Sequence, residues 1–337
     1  MNAHSPQSCA SCARQDCHLS FVSRDIAPVM DKVAFVLDEV WPEHRRFVGG
    51  QIKPGDQMLA PGLRLKRYDW EAGTGAAHWA TLLRHMAMRQ VASARGAVRQ
   101  AAYLRGDEAL AEALGRRIDY QAAHLVVQQA FLPFLWRDGI LGGRTFDVLM
   151  TRYRLTELHR RLDAVHHRYP GSRTIHDFRA PDDVVDAEME ALAAARRVVT
   201  PHHDIAESFG ERAVWLDWQR PEALSRRPGT RVAFLGPTIA RQGAHEVRDV
   251  ARNLAEPLIV FGPDLEVGNF WQGVAIERRT FAPGWLDDIG VILHPAAITN
   301  APRRLLEAHA VGVKLYAHAS CGLAPDDYQP VAAFTSP

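Results

Sequence analysis

Short, nearly unbroken apolar runs recur along the chain, separated by longer stretches in which apolar positions return every third or fourth residue. Runs of the first kind suit strands buried on both faces, and the spaced stretches suit the helices that cover them. Residues 33–37 form the first run, and the pair Gly49 and Gly50 after it reads as a turn. Residues 63–68 alternate apolar and basic side chains as a half-buried strand does, and residues 78–118 read as two helices broken near Gly96 or Gly106. Strands are predicted at 124–128, 146–150 and 174–176, with helices between them. An acidic helix, a short strand at Val198 and Val199, a helix ending at Gly210 and a further strand lead to a linker at 218–230, where Pro221, Pro228 and Gly229 cluster. Residues 231–243 then read as strand, glycine turn and helix start. Residues 289–323 hold a buried strand and a helix with Pro302 at its first position and Leu305, Leu306, Ala308 and Ala310 on its apolar face. Glu307 is placed near the start of that helix, pointing toward the strand ends, where open parallel sheets bind ligands.

This repeated strand–helix–strand order implies right-handed crossovers and parallel sheets. A chain of 337 residues is long for one core and suits two α/β domains. The expected division is a Cys-rich metal-binding leader at 1–28, an N-terminal Rossmann-like domain at 29–220 and a C-terminal one at 221–337. A formal charge of +1 gives no field for steering nucleic acid, so nucleic acid is not expected as a partner. No run reaches the length of a membrane span, and the first residues have no apolar core of the signal-peptide kind. The expected location is the cytoplasm, and the Ala and Arg richness points to a GC-rich bacterial genome.

The wording of residues 289–323 resembles the donor-site segment of GT-B glycosyltransferases of the large retaining group, which reads P-S-x-x-E-G-x-P-x-x-L-L-E-A-x-A-x-G-x-P-V. Pro302, Leu305, Leu306, Glu307, Ala308, Ala310 and Gly312 match that pattern in order, and Cys321, Gly322 and Leu323 fall at the next turn. The resemblance spans about 174–323. It implies two Rossmann-like domains facing a cleft, with a nucleotide-sugar donor on the second and an unidentified acceptor on the first. It also implies that Glu307 holds the donor ribose. The carboxylate the family carries eight residues earlier is Thr299 here, and the cations of its G-R-x-x-x-x-K-G turn are replaced by Pro237 and Gln242, with Arg241 as the adjacent substitute beside Gly236. The implied binding set is therefore Glu307, Gly236, Arg241 and Thr299, together with Gly49 and Gly50 on the acceptor side. The family's last, crossing helix is expected to be missing or replaced by another segment, such as the cysteine leader.

His176 and Asp177, at the end of a predicted strand, are a candidate catalytic or substrate-orienting pair, the alternative being a partly exposed histidine beside a capping aspartate. The pairs His166–His167 and His202–His203 read as surface positions, because adjacent helical residues face different directions. Cys9, Cys12, Cys17 and His18 form a C-x2-C-x4-C-H cluster, and the remaining cysteine is Cys321. In a reducing compartment this spacing suits a metal. Zinc would take the three thiols with His18 or Cys321, and a [4Fe-4S] cluster would take Cys321 as the fourth thiolate. The alternatives are free thiols in a leader and a packing role for Cys321. Two functions are implied: a hexosyltransferase-type enzyme using a nucleotide-sugar without a divalent metal, or a repurposed scaffold whose cysteines hold iron–sulfur or zinc.

Overall fold

The computed structural model describes residues 29–63, 66–70, 74–94, 96–172, 175, 177–222, 229–266 and 268–334. The chain divides into two compact units. The first comprises Met1–Thr156, Phe178–Thr200 and Phe209–Leu216, and the second Glu157–Asp177, Pro201–Ser208 and Asp217–Pro337. These units interleave about the boundary expected at 220/221: Glu157–Asp177, Pro201–Ser208 and the start of Asp217–Pro337 precede it and belong to the second unit. The leader at 1–28 lies outside the described residues.

The sheet of the first unit has seven parallel strands: β1 (Val29–Val36), β2 (Gln57–Pro61), β3 (Thr74–Ala76), β4 (Ala122–Gln128), β5 (Thr145–Leu149), β6 (Arg197–Thr200) and β7 (Ala213–Trp215). Their spatial order is β3-β2-β1-β4-β5-β6-β7, so the direction of build-up reverses between β1 and β4. The helices in this part of the chain are α1 (Pro42–Gln51), α2 (His78–Gln90), α3 (Gly96–Gly115), α4 (Leu132–Arg137), α5 (Leu155–Arg168), α6 (Asp182–Ala194) and α7 (His203–Phe209). Phe35, Leu37, Val126, Leu149 and Val199 fill one face of the sheet, as the unbroken apolar runs require of strands covered on both sides.

The second sheet has six parallel strands: β8 (Arg231–Phe234), β9 (Leu258–Phe261), β10 (Ile276–Arg279), β11 (Ile289–His294), β12 (Lys314–Ala317) and the two-residue β13 (Gln329–Pro330). Their order is β10-β9-β8-β11-β12-β13, the same reversal between first and fourth strands. Helices α8 (Ala244–Ala251) and α9 (Arg303–Ala310) come after β8 and β11. Phe234, Val260, Leu293, Ala244 and Val247 form its core. The chain is thus an α/β protein built of two Rossmann-like units.

Three local expectations are corrected. Gly49 and Gly50 lie in the last turn and a half of α1, not in a turn, with the Ile52 N–H closing on the Val48 carbonyl. The strand expected at 63–68 ends earlier, at Pro61. There Gly62, whose N–H donates to Thr81 Oγ1 at 3.1 Å, breaks the ladder, and Lys66–Tyr68 is a 3-10 turn that buries Tyr68. Of the strand expected at 174–176, only residue 175 is among the described residues, and there Ile175 is buried in a turn.

Candidate functional site

In an open parallel sheet the point where strand order reverses leaves a crevice at the carboxyl ends of the two diverging strands, because their crossovers run to opposite faces. In the second unit those strands are β8 and β11. The chain leaves β8 through Gly236, whose φ is +49° and where a Cβ would fall 1.8 Å from the Phe261 carbonyl oxygen. A side chain cannot fit there, so the backbone passes flush against the end of β9. Residues 240–242 make a 3-10 turn, and Gly243, at φ +78° with a Cβ position 2.3 Å from the Pro295 carbonyl oxygen, opens α8. The loop after β11 is tied to this turn by the Ala297 N–H, which donates to the Arg241 carbonyl at 2.8 Å. Gly236, Arg241 and Thr299, far apart in sequence, thus come to the loops at one end of one sheet.

Thr299 is held by two buried histidines. Its hydroxyl pairs with His294 Nε2 at 2.8 Å, and its carbonyl accepts from His202 Nε2 at 3.0 Å. Nδ1 of His202 accepts the Ile205 N–H at 3.3 Å, so the ring proton sits on Nε2. Burial lowers both imidazoles to about 4, and they stand neutral. His202, expected at the surface, is in fact enclosed, lying against the Cα of Gly322.

Beside these loops is a cleft of about 440 Å³ lined by Arg160, Arg161, Ala164, Val165, Arg168, Tyr169, Ala240, Gly243, Glu246, Pro295, Ala297, His318 and Ser320. Its cationic wall comes from α5, a helix to which no sequence motif points. Arg161 is fixed from three sides, by Glu157 and Asp204 at 2.7 Å each and by the Ala297 carbonyl at 3.3 Å. Arg160 shares Glu157 at 2.6 Å, and these hydrogen bonds, Arg160's first, lower Glu157 to about 2 despite its burial. Arg168 reaches Glu246 at 2.8 Å, and His318 Nε2 lies 3.2 Å from the same carboxylate. Burial alone would raise Glu246, but His318 and Arg168 hold it below its ordinary value. Glu266 pins the segment after α5 to the β8 loop by accepting from Ser172 Oγ at 2.6 Å and the Ala240 N–H at 2.8 Å. Three guanidiniums and an imidazole thus border the cleft, each already paired with Glu157, Asp204 or Glu246, so an anion with several oxygens would compete with these carboxylates for the same donors. The signal was present in sequence as arginines at 160, 161 and 168 on neighbouring faces of one helix, but nothing local links that helix to the β8 loop.

The other expected site residues are placed differently. Glu307 stands in the second turn of α9, not at its start, and its carboxylate takes the Arg304 guanidinium at 2.6 Å; Pro302 is the N-cap, one position before the helix. Gly236, Arg241 and Thr299 belong to the loops beside the cleft without lining it, and Glu307 does not line it either. Gly49 and Gly50 are exposed in the first unit, and a Cβ on either would meet nothing within 4 Å. His176 lies outside the described residues, and Asp177 sits in a turn. Cys9, Cys12, Cys17 and His18 also lie outside them. Cys321 is fully buried, and burial pushes its thiol up to about 12. Among the described residues no group of three or more His, Cys, Asp and Glu is placed to hold a metal ion.

The corresponding point of the first unit is built otherwise. Asp38 comes just after β1 and receives both Arg84 terminal nitrogens, at 2.7 and 3.0 Å, while Arg84 also reaches Asp107 at 2.6 Å. Trp70 Nε1 donates to the Asp38 carbonyl at 2.8 Å and closes the group. Burial pushes Asp107 up to about 7 against the pull of Arg84, with the Asp38 charge adding to the rise.

No protein family and no curated protein sequence matches the chain. Among solved structures it is similar to LpCGTa in complex with UDP, at 11% identity and a TM-score of 0.42, over 91% of this chain and 86% of that one. It is also similar to an α,α-trehalose-phosphate synthase (UDP-forming) from Burkholderia vietnamiensis, at 12% and 0.43, over 86% and 85%. A third is CalG4, the calicheamicin glycosyltransferase, at 12% and 0.35, over 88% and 81%. Likeness of this degree carries no functional weight, and the two-unit architecture stands on the strand orders themselves.

Proposed function

We propose that the protein is a nucleotide-sugar-dependent glycosyltransferase whose second unit binds the donor at the β8/β11 crevice. The observation that carries this reading is the arginine-lined cleft beside two glycine turns at the switch point of that sheet. A diphosphate presents several anionic oxygens, and Arg160 and Arg168, exchanging Glu157 and Glu246 for it, would offer the charge-assisted donors that Pro237 and Gln242 do not. In the reaction the bond from the anomeric carbon to the diphosphate oxygen breaks, and its electron pair leaves with the diphosphate. An acceptor hydroxyl forms the new bond to that carbon and gives up its proton to the leaving diphosphate. The arginines would stabilise the charge developing on the leaving group, the role fixed cations play in a preorganised site.

Within the same reading, Glu307 is assigned to the ribose, which requires it to exchange Arg304 for a sugar hydroxyl, and His176 with Asp177 is assigned to the acceptor side. Membership of the retaining subgroup rests on the resemblance of residues 289–323 alone. Calorimetric titration of the full chain with UDP, GDP and ADP tests the core of the proposal. Saturable binding of one of them, weakened about 10- to 100-fold in Arg160→Ala/Arg168→Ala, is expected from the loss of charge-assisted contacts. Absence of binding by all three nucleotides and their sugars would remove the assignment. Glu307→Ala, expected to abolish nucleotide-sugar binding with the fold intact, tests that residue separately.

A further inference from the structure

The longest stretch of the chain without a carboxylate runs over residues 72–106, and it carries Arg84, Arg89, Arg95, Arg99 and Arg105 with His78 and His85. In a chain whose 40 basic side chains are matched by 39 acidic ones, this is local segregation of charge. The stretch forms α2 and the first half of α3. Ten large apolar side chains are exposed among the described residues, and half of them stand here: Trp79 (71%), Leu83 (48%) and Met86 (49%) on α2, Val98 (51%) and Tyr103 (42%) on α3. Trp79, Leu83 and Met86 are four and three residues apart and therefore share one face of α2. Thr81 and Arg84 are the buried side chains of the helix, Arg84 being engaged by Asp38 and Asp107, so the apolar stripe is not the face that packs inward. Arg89, Arg99 and Arg105 form no ion pair among the described residues.

An exposed apolar stripe bordered by uncompensated cations needs a partner that is both greasy and anionic. We propose that the α2–α3 hairpin docks on an anionic phospholipid bilayer, Trp79, Leu83 and Met86 entering the boundary between headgroups and acyl chains while Arg89, Arg99 and Arg105 meet lipid phosphates. Nucleic acid would satisfy the arginines but strand three apolar side chains in water; a bilayer surface satisfies both. No described helix is long and apolar enough to cross a membrane, so the contact is peripheral. This surface is independent of the donor crevice.

The test is co-sedimentation of the full chain with vesicles of phosphatidylcholine alone and of an equal mixture with phosphatidylglycerol. The protein is expected to sediment with the mixture, stay soluble with phosphatidylcholine, and be released by high salt. Arg89→Gln/Arg105→Gln should weaken binding about fivefold per charge removed, and Trp79→Ser/Leu83→Ser should abolish it. All four positions are exposed, so these variants should keep the wild-type unfolding temperature, which separates loss of docking from loss of fold. Sedimentation with neither vesicle overturns the proposal, as does equal sedimentation with both. Salt-sensitive binding to a DNA duplex instead of vesicles, or a dimer that Trp79→Ser disperses, would assign the face to another partner and equally overturn it.

Discussion

The two sheets reverse strand order at the same place, between first and fourth strands, yet one crevice is sealed and the other open. After β1 the chain supplies Asp38, and Arg84 and Asp107 complete a buried charge group roofed by Trp70. After β8 it supplies Gly236 and Gly243, which let backbone segments touch and leave an arginine-lined cleft beside them. Fold alone therefore does not make a ligand site. The residues just past the first strand of each sheet differ accordingly: an aspartate that joins a buried charge group after β1, and two glycines beside a cleft after β8.

The strongest way to break this contrast is to remove the central cation of the sealed crevice. Arg84→Leu leaves two buried carboxylates and should cost about 3–5 kcal/mol in urea unfolding, whereas Arg84→Leu/Asp38→Leu/Asp107→Asn should recover most of it. A small loss in the single variant would show that the group is solvated and the crevice not sealed.

The pH response sharpens the comparison, because the two ends titrate with opposite sign. His202 and His294 have folded values near 4, below the ordinary 6.5. The unfolded chain therefore binds more protons between those values, and stability of the second unit is complete above 6.5 and falls as pH drops toward 4. The ceiling is about 3 kcal/mol for each histidine. Asp107 is raised from 3.8 to about 7, so its contribution is present below 3.8 and is lost as pH rises to 7. Hydrogen exchange at β11 and β1 amides across this window should show protection rising with pH in the former and the Asp107 contribution opposing it in the latter. Parallel trends at both strands would contradict the assignment.

Glycine substitution gives a third, smaller contrast. Gly236→Ala places a methyl against the Phe261 carbonyl at positive φ and should cost about 2–3 kcal/mol or more. Gly49→Ala, in a helix with open space around it, should instead stabilise by about 0.5–1 kcal/mol. Thermal unfolding of the two variants reads both signs in one experiment.

Much of the architecture was legible from local pattern. Unbroken apolar runs placed β1, β4, β5, β6, β8 and β11 to within a few residues, because a strand buried on both faces has no freedom to alternate. The edge strands β3, β10 and β13 escaped that pattern: partly exposed or very short, they carry mixed side chains such as Ile276–Arg279, where only pairing with β9 makes a strand. Gly49 and Gly50 misled because glycine pairs favour turns in general, while α1 here continues through them.

The alternation of strand and helix, the two Rossmann-like halves and the glycine turn after β8 are written in the chain itself, since each depends on residues within a few positions of one another. Folding in three dimensions was needed to set the α5 arginines beside that turn, to enclose His202 on Thr299, to give Glu307 to Arg304 on its own helix, and to gather Asp38, Arg84 and Asp107 into one group. Those arrangements depend on long-range proximity and on which polar groups lose water, and neither is set by spacing along a chain.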